Sequence, residues 1–167
     1  IGIIKNFLDK ADHILLGGGI ANTFSYAQGH EVGASLYEKD KKDLALEILE
    51  KATNKIQLPT DFTITDEKIL DIGPETIKKF TEIIQKSATI IWNGPLGLYE
   101  LPQYKKGTAE IAKALSESQA QTIIGGGDTA DAVHKLGYNE TNFTHISTGG
   151  GACIEYLSGI KMPAIEA

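Results

Sequence analysis

Glycine runs that follow short strand-like segments constrain the fold of this chain more than any other sequence feature. Gly17–Gly19, Gly125–Gly127 and Gly149–Gly151 are runs of three consecutive glycines. A fourth segment of the same kind ends in Asn93-Gly94-Pro95-Leu96-Gly97. Stretches with helical hydrophobic spacing follow these loops, so a strand, a glycine loop and a helix recur along the chain.

This alternation predicts right-handed βαβ crossovers and a parallel sheet. We therefore expect an α/β fold, a three-layer Rossmann-like domain with a mainly parallel central sheet and helices on both faces. The predicted strands are Ile14–Leu16, Lys55–Leu58, Phe62–Thr65, Thr89–Trp92, Thr122–Ile124 and Thr144–Ser147. The predicted helices are Ile20–Gln28, Asp40–Thr53, Pro74–Lys86, Thr108–Ser118, Thr129–Leu136 and a last one that ends near Leu157. No linker-like stretch divides the chain, so residues 1–167 are predicted to form one domain.

The glycine loops are expected to meet at one edge of the sheet, because parallel strands present their carboxyl ends on the same side. A bare loop lets backbone N–H groups approach an anion, and the following helix adds the positive end of its dipole. Glycines also make tight strand-to-helix turns, and a single loop does not decide between these uses. Their convergence favours a ligand that carries phosphate.

The common phosphate-binding motifs are absent. There is no G-x-x-x-x-G-K-[ST] segment, which excludes a P-loop NTPase. Gly17-Gly18-Gly19-Ile20-Ala21-Asn22 lacks the third glycine of the dinucleotide motif, so a nicotinamide-dependent oxidoreductase is an alternative without support.

The charge of the chain restricts its partners. The formal net charge is −6, and the sixteen residues counted as lysine or arginine are all lysines. Because nucleic acids are held by clustered cationic side chains, this chain is not expected to bind them. No stretch approaches the roughly 20 apolar residues of a membrane span. With Cys153 as the single cysteine, we expect a cytoplasmic protein.

Two carboxylates beside the loops are candidate ligand-binding residues. Asp128 follows a glycine run and precedes Thr129 at a predicted helix start. It could cap that helix or hold Mg²⁺, which takes one or two protein carboxylates together with water and phosphate oxygens. Glu100 follows the Asn93–Gly97 loop and could accept hydrogen bonds from ribose hydroxyls or be a solvated surface residue. Spacing alone leaves both questions open.

Longer segments around these loops resemble the phosphoglycerate kinase family. Trp92-Asn93-Gly94-Pro95-Leu96-Gly97-Leu98-Tyr99-Glu100 is similar to the family's W-N-G-P-x-G-x-[FY]-E segment. Ile123–Thr129 is similar to I-I-G-G-G-D-[ST], and His145–Ala152 is similar to H-[VI]-S-T-G-G-G-A. Leu16–Gly19, Ser35-Leu36 and Leu70–Pro74 fit in the same order, and the likeness extends from the first residues to Pro163.

The resemblance implies a site for ADP or ATP with Mg²⁺. Asp128 would coordinate the Mg²⁺, and Glu100 would bind the ribose. The other residues implied in nucleotide binding are Gly126, Gly127 and Thr129 at the phosphates, Asn93 and Pro95 along the site, and Gly18, Gly19, Leu36, Leu70 and Leu98 around the adenine. The implied catalytic residues are Gly149, Gly150 and Gly151, which would face the transferring phosphoryl group with preorganised donors.

The resemblance also implies a reaction, the reversible phosphoryl transfer between 1,3-bisphosphoglycerate and ADP that gives 3-phosphoglycerate and ATP. In this family two domains close around the substrates and exclude water. The chain resembles the C-terminal, nucleotide-binding domain, so the N-terminal acid-substrate domain with its arginines is expected to lie outside it. We expect the protein to be a monomer, and we expect this chain to be inactive without the acid-substrate domain. A stand-alone nucleotide-binding module without catalysis would look the same in this sequence.

Two departures from the family pattern concern the nucleotide site. The family's lysine-bearing G-G-A-K-V-x-D-K segment does not occur in the chain, and no glycine loop contains a lysine. Lys5 is no substitute, because its surroundings predict the exposed face of a helix. The segment between Asp66 and Leu70 is shorter than in the family, either because a loop is omitted from the sequence or because of a deletion. Where this chain has Ile69, family members often have a small residue.

Overall fold

The computed structural model describes residues 1–147 together with Ala152, Glu155 and Gly159, and residues 1–147 form six α-helices and seven strands. The helices are α1 (Gly2–Phe7), α2 (Gly18–Ala27), α3 (Lys42–Ala52), α4 (Pro74–Ile84), α5 (Lys106–Ser116) and α6 (Gly127–Lys135). The strands are β1 (Ile14–Leu15), β2 (Ile56–Gln57), β3 (Phe62–Thr65), β4 (Lys68–Ile72), β5 (Thr89–Asn93), β6 (Gln121–Gly125) and β7 (His145–Ile146). None of the helices in this part of the chain is long and apolar enough to cross a lipid bilayer.

Parallel pairing dominates the strands. β1 pairs with β2, and β6 lies between β5 and β7, all in parallel. Helices α5 and α6 form the crossovers between the three strands of the larger ladder, as parallel neighbours require. The predicted α/β, Rossmann-like class is therefore confirmed. The backbone hydrogen bonds divide the described strands into three ladders, two parallel and one antiparallel.

The antiparallel ladder is a hairpin of β3 and β4, and β4 is absent from the strands predicted from the sequence. The two turn residues, Asp66 and Glu67, have φ angles of +50° and +60°. Positive φ at both positions is typical of two-residue hairpin turns. The short segment before Leu70 is thus a closed hairpin, and Leu70 lies within β4.

Among the other described helices and strands, those whose bounds were predicted agree with the structure to within two residues at each end, and no bounds were predicted for α1. Helices α2, α5 and α6 each begin two residues earlier than predicted. At α2 and α6 the earlier start takes glycines into the first helical turn, where N–H groups have no intrahelical partner. Most of the predicted helix that ends near Leu157 lies outside the described residues.

Two hydrophobic clusters hold these elements together. The first gathers α1, α2 and α3 with β1 and β2 around Phe24 and Ile48, which are both fully buried. The second gathers α4, α5 and α6 with the β5–β7 ladder around Phe80 and Ile124. Leu15 of β1 packs against the second cluster, so the two clusters meet there. Full burial of such a side chain stabilises the fold by about 1.5–3 kcal/mol.

Candidate functional site

The ends of β5 and β6 bring two glycine loops side by side. Asn93 at the end of β5 lies opposite Gly125 at the end of β6. The Gly94 N–H donates a hydrogen bond to the Thr129 hydroxyl oxygen over 2.7 Å. A Cβ at Gly126 would collide with the Asn93 Oδ1, and Gly126 has a φ of +88°, which favours glycine. The loop after β5 is therefore in direct contact with the start of α6.

The first turn of α6 is open with respect to the described part of the chain. This helix begins at Gly127, and its N-cap residue Gly126 supplies no side-chain hydrogen bond. Unpartnered N–H groups in a first helical turn carry partial positive charge and attract anions. The exposed carboxylate of Asp128 lies in the same turn. Such a turn can bind phosphate through its amides and a cation through its carboxylate.

Carboxylates of the protein itself close the starts of α4 and α5. At α4, the Asp61 carboxylate accepts hydrogen bonds from the N–H groups of Glu75 (3.0 Å) and Thr76 (2.7 Å). At α5, the Asp71 Oδ2 accepts the N–H of Gly107 over 2.8 Å. Burial raises the pKa of Asp71, and the hydrogen bonds that its carboxylate accepts from backbone N–H groups act in the opposite direction. Of these three helix starts, α6 alone has no carboxylate cap from the residues that the structure describes.

The first glycine loop lies against the loop after β5. Gly18 has a φ of +57°, and a Cβ there would lie 3.6 Å from the Pro95 carbonyl oxygen. A Cβ at Gly19 would lie 3.4 Å from the Leu36 Cδ2. The Leu36 side chain is 83% exposed, although it is apolar. The α2 start thus adjoins both Pro95 and an apolar surface.

Two hydrogen bonds connect the segments that carry the three predicted leucines. The Leu98 N–H donates to the Leu70 carbonyl oxygen over 2.8 Å. The Ile69 N–H donates to the hydroxyl oxygen of Ser35, also over 2.8 Å, and Ser35 directly precedes Leu36. Leu98 is 39% exposed. Leu36 and Leu98 therefore offer accessible apolar surface of the kind that a nucleobase packs against.

A hydrogen-bonded cluster joins the segment after Leu98 to α6. The Tyr99 hydroxyl donates to the Asp131 Oδ2 over 2.7 Å, and the Lys135 Nζ pairs with the same oxygen at 2.8 Å. Lys135 also lies 5.3 Å from the centre of the Tyr99 ring. The hydrogen bond to Asp131 raises the pKa of Tyr99, and burial and the negative charges of Asp131, Glu100 and Asp128 raise it further. We call Tyr99, Asp131 and Lys135 the Tyr99 clamp.

The structure brings the predicted site residues into two adjoining groups. The first group, at the contact between the β5 loop and α6, comprises Asn93, Gly126, Gly127, Asp128 and Thr129. The second, around the α2 start, comprises Gly18, Gly19, Leu36 and Pro95, and hydrogen bonds tie the segments of Leu70 and Leu98 to it. Glu100 is exposed and follows Tyr99 of the clamp. Gly149, Gly150 and Gly151 lie outside the described residues.

Thr129, which is expected at the nucleotide phosphates, has a side chain that is engaged within the protein. The residue is fully buried, and its hydroxyl oxygen accepts the Gly94 N–H. The side chain therefore ties the two loops together. Its backbone N–H, in the first turn of α6, is the group left for an anion.

Sequence reasoning gave no role to Asp71 or to the Tyr99 clamp, although Asp71 and Tyr99 stand in two of the family-like segments. Tyr99 and Asp131 are 32 positions apart, so no local pattern links them. The spacing of Asp131 and Lys135, four residues apart on α6, was a signal for their ion pair, since such pairs form on helix surfaces. Asp71 lies in the unpredicted strand β4, and a buried carboxylate has no spacing signature.

A separate cavity of about 420 Å³ lies at the other end of α2, where Tyr26, His30, Tyr37 and Lys42 are among its lining residues. None of the predicted site residues lines it. Among the described residues, no group of three or more His, Cys, Asp and Glu side chains could hold a metal ion by itself. A cation at Asp128 would therefore need a ligand such as phosphate to complete its coordination.

Comparisons with known proteins agree on one family. The family model described as phosphoglycerate kinase matches residues 1–160. The phosphoglycerate kinase of Finegoldia magna is 50% identical over 188 aligned residues, which cover 99% of this chain and 47% of that protein. The enzyme of Lactobacillus helveticus is 49% identical over 184 aligned residues, with 99% and 45% covered. The chain thus spans about half the length of the curated relatives it matches.

Solved structures give the same result. The structure of phosphoglycerate kinase from Coxiella burnetii matches with a TM-score of 0.92 and 36% identity, covering 98% of this chain and 48% of that one. Phosphoglycerate kinase from Pyrococcus horikoshii OT3 matches with a TM-score of 0.85 and 32% identity, covering 98% and 47%.

Proposed function

The chain belongs to the phosphoglycerate kinase family, and we propose that it is the C-terminal, nucleotide-binding domain of such an enzyme. It binds ADP or ATP with Mg²⁺ for the reversible phosphoryl transfer between 1,3-bisphosphoglycerate and ADP, which gives 3-phosphoglycerate and ATP. The acid substrate binds a second domain with cationic residues, and the chain alone is inactive. The enzyme works as a cytoplasmic monomer and binds neither nucleic acid nor membrane.

The observation that carries this proposal is the open first turn of α6 beside the loop after β5. The amides at Gly127, Asp128 and Thr129 have no side-chain cap from Gly126, whereas carboxylates occupy the starts of α4 and α5. An acidic chain can bind a polyphosphate only where such local donors outweigh its net charge of −6. The start of α6 offers these donors.

Each part of the nucleotide has a counterpart in the two groups of residues. The β- and α-phosphates are bound by amides at Gly126, Gly127 and Thr129, and Asn93 and Pro95 border them. Glu100 accepts hydrogen bonds from the ribose hydroxyls. The adenine packs among Gly18, Gly19, Leu36, Leu70 and Leu98, where Leu36 is the most accessible apolar side chain.

Asp128 suits a Mg²⁺ ion that arrives with the nucleotide. It is exposed, and a single protein carboxylate with phosphate oxygens and waters meets the coordination preference of Mg²⁺. The bound ion would neutralise charge on the phosphate oxygens. The chain's own contribution is to fix the phosphates by backbone donors, which require no reorganisation as charge develops on the transferring group. Gly149, Gly150 and Gly151 contribute further donors to that group.

The test is a calorimetric titration of the chain with ADP, with and without Mg²⁺. We expect binding that strengthens with Mg²⁺ and that weakens at least about ten-fold in Asp128→Ala, because even loss of a residue that only supports a metal ligand costs about that much affinity. Asp43→Ala is the matched control, because Asp43 is also an exposed aspartate in the first turn of a helix, α3. The control should bind like wild type. A folded chain that binds no ADP, or Asp128→Ala with unchanged Mg²⁺ dependence, would contradict the proposal.

A further inference from the structure

Two contacts fasten the segment after β5 to α6. The first is the hydrogen bond from the Gly94 N–H to the Thr129 hydroxyl oxygen. The second belongs to the Tyr99 clamp, in which the hydroxyl of Tyr99 donates to Asp131, one helical turn beyond Asp128. The two exposed carboxylates assigned to ribose and Mg²⁺, Glu100 and Asp128, thus belong to segments that are fastened together at two points.

The clamp itself is held in one geometry by three interactions. One Asp131 oxygen accepts hydrogen bonds from both the Tyr99 hydroxyl and the Lys135 ammonium. The hydrogen bond from Lys135 lowers the pKa of Asp131, so this carboxylate stays ionised and remains an acceptor at neutral pH. Lys135 also lies over the Tyr99 ring, where a cation is attracted to the aromatic face. An acceptor that is charged strengthens the hydrogen bond from the hydroxyl.

We propose that Tyr99 is a positioning residue for the nucleotide, which acts through its hydrogen bond to Asp131 to hold Glu100 at a fixed reach from Asp128. This inference rests on the proposed function and deepens it. The ribose and the Mg²⁺-bound phosphates belong to one ligand, so both carboxylates must be correctly placed at once. Without the clamp, the segment of Glu100 would have to be ordered at the expense of binding free energy.

The test variant is Tyr99→Phe, which removes one hydroxyl and keeps the ring. We expect the Kd for Mg-ADP to rise about five-fold, the effect of one net hydrogen bond. With 2′,3′-dideoxy-ADP, which has no ribose hydroxyls for Glu100, wild type and Tyr99→Phe should bind equally. A general structural defect would weaken both ligands. Tyr138→Phe is the control for hydroxyl removal, since Tyr138 packs at the margin of the second hydrophobic cluster.

A double-mutant cycle tests the route through Asp131. If the hydroxyl acts through this carboxylate, Tyr99→Phe should cause no further loss in an Asp131→Ala background. Equal Mg-ADP affinity of wild type and Tyr99→Phe, or an equal loss with dideoxy-ADP, would overturn the inference and leave the proposed function standing. A folded wild-type chain that binds no Mg-ADP would overturn the proposed function and this inference with it.

Discussion

Adjacent residues of the same type have different roles at the α6 start. Gly126 has φ and ψ of +88° and 140°, a conformation that side chains strongly disfavour, and it abuts Asn93. Gly127 begins the helix, and nothing lies within 4 Å of a Cβ placed there. The sequence run Gly125–Gly127 indicated a tight turn with close approach, but it could not show which glycine was required. That distinction depends on Asn93, which lies 33 positions earlier in the sequence.

This difference yields a residue-scale prediction. Gly126→Ala should lower the free energy of unfolding by about 1–3 kcal/mol through backbone strain. Gly127→Ala should leave it unchanged or raise it by up to about 1 kcal/mol, because alanine restricts the unfolded chain and favours helix. Urea unfolding followed by circular dichroism measures both values. Equal effects of the two substitutions would contradict the assigned roles.

The same limit applied to Thr129 but not to the two carboxylates beside the loops. The sequence correctly placed Asp128 and Glu100 beside glycine loops, and both are exposed. It could not show that Thr129 is buried, because its hydroxyl bonds to Gly94 through a strand pairing that only the tertiary fold creates.

At the scale of elements, helix starts are of two kinds. Those of α4 and α5 are occupied by Asp61 and Asp71 from distant strands or turns, whereas that of α6 follows glycines and lacks a side-chain cap. Hydrophobic periodicity and glycine position predicted nearly all described elements. Strand β4 was missed because Lys68–Ile72 shows no regular alternation and contains the buried Asp71. The position of β4 is determined by its pairing with β3, and the order of apolar and polar residues in the sequence does not reveal that pairing.

The cap on α4 gives a pH prediction. Burial by itself would raise the pKa of Asp61. The hydrogen bonds from the Thr76 hydroxyl and from the N–H groups of Glu75 and Thr76 outweigh burial and lower this pKa below its ordinary value. Because the folded-state pKa is the lower one, the stability that ionised Asp61 contributes is complete above the ordinary pKa and is lost as pH falls through the folded-state value.

Asp61→Asn should therefore destabilise the chain by about 1–2 kcal/mol at pH 7, the size of a charged helix cap, with a smaller difference at acidic pH. Urea unfolding at pH 7 and pH 3.5 measures the two differences. Asp12→Asn, at an exposed aspartate, is the control and should show little difference at either pH. If the loss of unfolding free energy in Asp61→Asn grew on acidification, the assigned direction of the Asp61 pKa shift would be wrong.

At the scale of the whole molecule, the proposed nucleotide site spans the two hydrophobic clusters. The α2 start belongs to the first cluster, and the loop after β5 belongs to the second. A Cβ at Gly17 would collide with the Leu96 side chain, so the two loops are closely packed where the clusters meet. The sequence predicted that the loops converge, because parallel strands share one edge. The detailed contact depends on Leu15 and Leu96 packing across the clusters.

The central claim is that Mg-ADP binds where these loops meet, and amide chemical shifts of the ¹⁵N-labelled chain test it most directly. We predict that Mg-ADP shifts the amides of Gly18, Gly19, Leu36, Leu98 and Gly126–Asp128, with little change in α4 and around the separate cavity at Tyr26 and Lys42. Shifts confined to that cavity, or absent from the start of α6, would contradict the claim.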